Sequence, residues 1–196
     1  RLSPTLMWGL LHLFHLCELL GVWPTVVAMA LIPLLPKQPT GVRAVGILPT
    51  FARTWMRMRK PYVAEWERKN ARSFLFAGTS KGADVAAWIQ AAFLEHAANS
   101  ALAAAAAFSD LIKAFDRVSH VILVAEAEHW YYPLWLLRLC LAAYRMGRRI
   151  TMNGLVSNLV LALRGLTAGS VTATTELRVL LLRTLDDVVR RFPEVP

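Results

Sequence analysis

The chain has 196 residues, 56% of them hydrophobic, and a mean hydropathy of +0.43. That excludes a disordered chain and suits one domain, or two small lobes sharing a core. Its 22 Lys and Arg against 13 Asp and Glu give a net charge of +9 and a pI near 10.3, which favours a polyanionic partner, nucleic acid or a membrane surface.

In chain order, Pro4 to Leu20 reads as a helix, and the apolar run continues to Leu35 with breaks at Gly21 and Pro24. Each piece is short for a bilayer, and Glu18 would be costly near its centre, so a buried element is expected rather than a membrane span. No charged n-region and small-residue cleavage site frame the start, so it does not read as a signal peptide. His12 and His15 share a helix face without a third ligand, which argues against a metal site there. Cys17 and Cys140 are far apart, with no His or Cys at ligand spacing. They read as core residues in a reducing compartment. Pro39 and Gly41 predict a turn, so a hairpin would carry Lys37 and Arg43 onto one lobe.

Thr50 is placed to cap a helix through Phe51, Trp55 and Met58, with Arg53, Arg57, Arg59 and Lys60 on its basic side. Pro61 is expected to break or kink it before a second helix through Trp66. After Gly82, the spacing of Ala83, Ala86, Ala87, Ile89, Ala92 and Phe93 predicts another helix with an apolar face. The run Ala103 to Ala107 has high helix propensity and poor strand propensity. Leu134, Leu137, Leu141 and Tyr144 predict one more amphipathic helix. Arg149 to Val156 reads as a strand entering a hairpin at Asn153-Gly154. The helical spacing of Leu180 to Arg191 sets Asp186 and Asp187 on the solvated side of a helix. The seven tryptophans stand mostly at core spacing, and none is assigned to base stacking.

The run Asp110-Leu111-Ile112-Lys113-Ala114-Phe115-Asp116-Arg117-Val118 carries the chemistry. A carboxylate at the end of a buried element can hold Mg²⁺, which takes one or two protein carboxylates together with phosphate oxygens. By spacing alone, an amphipathic segment with two surface aspartates is the stronger reading. The wording, however, resembles the first catalytic motif of reverse transcriptases, RNA-directed DNA polymerases, of the non-LTR retroelement (retrotransposon) type. Four further stretches stand in the family's order. Pro36-Lys37-Gln38-Pro39-Thr40-Gly41-Val42-Arg43-Ala44-Val45-Gly46-Ile47-Leu48-Pro49 resembles the fingers hairpin, with Ala44 where the family usually has Pro. Phe74 to Asp84 resembles the next block, an aromatic followed by a Gly-containing loop and a helix. His129 to Pro133, then Tyr144, Arg149 and Asn153-Gly154, follows the usual path to the second palm motif. Arg164-Gly165-Leu166-Thr167-Ala168-Gly169-Ser170 resembles that motif, with Ala168 where Gln is common.

The resemblance implies an α+β chain built as a right-hand polymerase fragment, with an antiparallel palm sheet flanked by helices. Residues 1–100 would hold N-terminal helices and a fingers-like region, and residues 101–196 a partial palm. The resemblance further requires a strand over 101–109 to mount Asp110, against the local helix propensity. It makes Asp110 the catalytic carboxylate and, with the Leu111 carbonyl, a ligand of Mg²⁺ or Mn²⁺, two ions being expected in the intact enzyme. Asp116 would be structural. Lys37, Arg43, Phe115, Ala168 and Gly169 would meet the deoxynucleoside triphosphate. Arg53, Arg57, Lys60 and Arg149 would track the backbone of an RNA template and DNA primer. The family's aromatic-x-Asp-Asp hairpin is missing from the sequence, so the chain is expected to be a fragment that does not polymerise alone. The expected location is intracellular, in nucleus or cytoplasm, and not secreted. Two other readings are a degenerate relative that binds nucleic acid without catalysis, and a helical membrane-associated protein built on residues 6–35.

Overall fold

The computed structural model describes residues 3–77, 82–106 and 110–192. Helix α1 (Pro4–Leu20) starts at Ser3, whose hydroxyl accepts from the Leu6 N–H, and ends at Gly21 in the left-handed region. Phe14 and Cys17 are its buried residues. Glu18 is answered rather than exposed to lipid: one carboxylate oxygen accepts from Trp55 Nε1 and Arg59 Nε, each at 2.6 Å. A single 3₁₀ turn over Thr25–Val27 leads to strand β1 (Met29–Pro36), which turns back antiparallel into β2 (Val42–Ala44). The expected hairpin is present, with Leu35 opposite Arg43.

Helix α2 (Thr50–Lys69) runs unbroken through Pro61, contrary to the expected break. Residues 60–62 face solvent, so water can take the carbonyl that the proline ring leaves without an N–H. Buried Ala52, Trp55, Met56, Val63 and Trp66 hold the helix to the core on both sides of the proline. Helix α3 (Ala83–Asn99) forms as expected, but Ala97 is its only buried residue, and Trp88 is 77% exposed. An alanine-rich face offers little area to bury, so it draws the helix only weakly onto the core. Ala101 then adopts a left-handed backbone with φ 53, and Leu102 N donates to Ala97 O at 2.9 Å. This closes the helix in the usual left-handed cap, here without glycine.

The strand expected over 101–109 is not found in its described part. Residues 102–106 are irregular and exposed, whereas 107–109 and 78–81 lie outside the described residues. Alanine has poor strand propensity, and no strand pairs with this stretch among the described residues. Helices α4 (His120–His129), α5 (Leu134–Tyr144) and α6 (Ala173–Arg191) complete the helical set. Asp186 and Asp187 lie on α6, as expected. Asp186 accepts a two-pronged bond from Arg72 at 2.9 and 3.0 Å, and Asp187 pairs with Arg190.

The chain is thus α+β, with a small mixed sheet in the order β2-β1-β3-β4. Strand β3 (Gly147–Met152) runs parallel to β1, and β4 (Leu155–Val156) returns antiparallel to β3 through the Asn153-Gly154 turn. The expected antiparallel sheet is corrected at its centre. The connection from β1 to β3 passes through α2 to α5, and such a crossover lays its strands parallel. One cluster of buried side chains runs from Phe14 to Leu182, so residues before and after position 100 share a core.

Candidate nucleic-acid face and motif junction

Three of the stretches singled out in the sequence meet in space. Gly165 N donates to Val118 O and Leu166 N to Phe115 O, each at 2.8 Å, so the second motif lies along the first. Gly165 has φ +89, and a Cβ there would stand 2.8 Å from the Asp116 carbonyl oxygen. Glycine is therefore required both for the backbone angle and for the close approach. On its other side the second motif abuts the chain just beyond β2. A Cβ on Gly169 would strike the carbonyl of Gly46, and one on Gly46 would strike the side chain of Thr167. The stretch 164–170 is thereby clasped between the loop 115–118 and the segment following the hairpin.

Asp110 is exposed on irregular chain, followed by turns over 112–117. It lines a cleft of about 470 Å³ together with Arg117, Ser119, Ile122 and, from α6, Leu177 and Leu180. No residue of the hairpin lines that cleft. Among the described residues, no three His, Cys, Asp or Glu side chains are grouped to hold a metal ion. Asp110 with the Leu111 carbonyl does not make a two-metal donor set among the described residues.

The sheet places its cations differently. Arg43 pairs with Leu35 and Arg149 with Leu31, both on β1 and four residues apart. Cross-strand partners share a face, and residues an even number apart along a strand do too. Arg43, Arg149, Leu31 and Leu35 therefore stand on one face, and all are exposed. The alternate positions, Ala30, Ile32, Leu34, Arg148 and Ile150, turn to the other side and are buried or half-buried. One side of the sheet is thus covered and the other is open, with two guanidinium groups on it. Lys37 is exposed at the hairpin turn, where its N–H donates to Gly41 O at 3.0 Å. Arg149 Nη1 donates to Ser157 O at 3.2 Å.

The basic side of α2 divides. Arg59 is held by Glu18 and lies over the Trp135 ring, 5.9 Å from its centroid. Arg53 is half-buried and donates to the Thr50 hydroxyl. Arg57 and Lys60, one helical turn apart, are exposed. Phe115 is half-buried against the core, whereas Ala168 and Gly169 are exposed.

Sequence reading missed a buried polar network behind the junction. The Tyr144 hydroxyl donates to Glu176 Oε2 at 2.5 Å and also reaches the Ser170 and Thr172 hydroxyls. Glu176 is fully buried, and its Oε1 has no partner among the described residues. Burial raises its carboxyl pKa to about 7, against the opposing hydrogen bonds from Tyr144, Thr172 and Cys140. It was also missed that His120 Nε2 donates to Gly165 O at 2.8 Å. The only sequence signal for either was a polar residue at a position that helix periodicity buries.

The chain matches no protein-family model and no curated protein sequence. Among the described residues, no helix is long and apolar enough to cross a membrane.

Proposed function

We propose that this chain is a reverse-transcriptase-like fingers and partial-palm unit that binds an RNA–DNA template–primer duplex, the parent protein carrying out RNA-directed DNA synthesis. The observation that supports it is the clasp. Stretches at Gly46, at Phe115 to Val118 and at Arg164 to Ser170, singled out in the sequence as motifs of one family, pack against one another through glycines at their points of contact. The open sheet face is the second support. Arg43 and Arg149 share that face, guanidinium meets phosphate oxygens with a planar fork, and the exposed leucines between them offer apolar area to sugars. In this reading Lys37 stands at the hairpin turn to reach a triphosphate, and Phe115, Ala168 and Gly169 border the nucleotide. Asp110 is the carboxylate that would anchor a metal once its partners are supplied.

Affinity for a labelled RNA–DNA duplex, measured by fluorescence anisotropy over a range of NaCl, tests the reading. Binding should weaken steeply with salt, because phosphate contacts release counterions. Arg43→Glu with Arg149→Glu should lower affinity at least tenfold, and Arg57→Glu with Lys60→Glu should also lower it. Affinity unchanged in both double variants, or insensitive to salt, would overturn it.

A further inference from the structure

On the covered side of the sheet, three basic residues from three elements converge at the end of α5. Arg145, the residue that caps α5, donates its Nε–H to His120 Nδ1 at 3.2 Å. The other ring nitrogen of His120 faces the Gly165 carbonyl, which can only accept. Nε2 therefore carries the proton and Nδ1 is an acceptor: His120 is neutral, in a tautomer fixed from both sides. Burial holds its pKa below the ordinary value, opposed by the Gly165 carbonyl and reinforced by the charges of Arg145 and Arg148. Arg148, on β3, donates Nη2 to Tyr144 O at 2.9 Å, so its guanidinium also sits at the α5 terminus.

Both guanidinium charges act on His120, and the fold does little to neutralise them. Among the described residues, neither Arg145 nor Arg148 has a carboxylate within ion-pair distance. Asp116, on the loop, is the acidic group that acts on Arg148, from beyond that distance. Arg148 is half-buried and partly desolvated, which lowers its pKa in spite of Asp116. Among the described residues each arginine places one hydrogen bond on the protein, Arg145 being exposed and Arg148 half-buried. A neutral histidine orients one arginine and a helix-end carbonyl anchors the other, so both guanidinium groups are restrained near the end of α5, and guanidinium suits an oxyanion.

We propose that Arg145 and Arg148, with His120 positioning Arg145, form a binding site for a phosphate group. The site is distinct from the open sheet face, since Arg148 and Arg149 are adjacent on β3 and point to opposite sides. It does not depend on the polymerase-like reading. Its phosphate belongs either to a nucleic-acid backbone or to a small phosphorylated molecule.

The test is a titration of the whole chain with pyrophosphate at constant ionic strength, following the His120 imidazole nitrogens by NMR. The free protein should show an unprotonated Nδ1, and pyrophosphate should shift that resonance saturably. Arg148→Gln should weaken the response at least tenfold. Arg145→Lys keeps the charge at an exposed position but loses the Nε–H aimed at His120, and should weaken it severalfold. A second arm measures an RNA–DNA duplex with the same variants. Loss of about one unit in the salt slope per arginine assigns the site to backbone phosphate, whereas a loss confined to pyrophosphate assigns it to a small ligand. No saturable shift, or the same shift in both variants, overturns the site. Pyrophosphate binding here without any duplex binding would instead leave the site standing and sink the proposed function.

Discussion

At the scale of single residues, Gly165 and Glu176 carry the sharpest consequences. A methyl on Gly165 would need a left-handed backbone and would press on the Asp116 carbonyl. Gly165→Ala should therefore destabilise the chain by roughly 1–3 kcal/mol, read as a drop in thermal midpoint, with Gly154→Ala, where the added Cβ meets nothing within 4 Å, as the milder comparison. Glu176 has the opposite kind of cost. Its folded pKa of about 7 lies above its ordinary 4.5, so the folded state holds a proton that the unfolded state gives up. The associated stability is complete below pH 4.5 and is lost as pH rises through 7, on the order of 3 kcal/mol at most. Thermal midpoints between pH 5 and 8 should fall for the wild type and flatten for Glu176→Gln. A wild-type midpoint that rises over that range would refute the assignment. Of these two residues, Gly165 was visible in the sequence as part of a motif. Glu176 was not, because a lone Glu in the first turn of a helix ordinarily reads as a solvated charge favoured by the helix dipole.

At the scale of elements, legibility followed how local the cause was. Helix α1 was read to its ends, because Ser3, Pro4 and Gly21 each act within a few residues. Two residues beyond the last residue of α3 and of α4, Ala101 and Tyr131 are left-handed without glycine, so no letter marked those caps. The strand required at 101–109 came from resemblance, and local propensity opposed it; its described part adopted neither helix nor strand. The parallel pairing of β1 with β3 joins residues 29–33 to 147–151, a relation set by helices packing between them and not by either segment. Pro61 shows tertiary packing overriding a local signal. Trp55, Met56, Val63 and Trp66 are buried on either side of it, and their burial exceeds the cost of one missing hydrogen bond. Pro61→Ala should restore that bond and raise stability by about 1–3 kcal/mol, measured by urea unfolding at constant m. A loss of stability would mean that the proline ring itself packs in a way its exposure belies.

At the scale of the molecule, one core holds α1, α2, α4, α5 and α6 against one side of a sheet whose other side is open. On the proposed reading, this arrangement separates binding from chemistry. The cations that would meet a duplex sit on rigid strands, where their spacing is fixed by cross-strand register. Asp110 instead sits on exposed irregular chain beside an apolar cleft, with Arg117 as its charged neighbour in the lining. In-line phosphoryl transfer needs metal ions clamping both the attacking and the leaving oxygen, and one carboxylate on such a mount supplies too few ligands. Losing a metal-anchoring group typically costs a thousandfold or more in rate. The chain should therefore bind an RNA–DNA duplex yet give no detectable primer extension with Mg²⁺ or Mn²⁺, and Asp110→Asn should leave duplex affinity within about twofold. Robust extension that Asp110→Asn abolishes would place a second carboxylate beside Asp110 in the working state. Asp186 and Asp187 would then be the first to neutralise, because α6 already lines the Asp110 cleft through Leu177 and Leu180, and the Arg72–Asp186 pair would have to open for it.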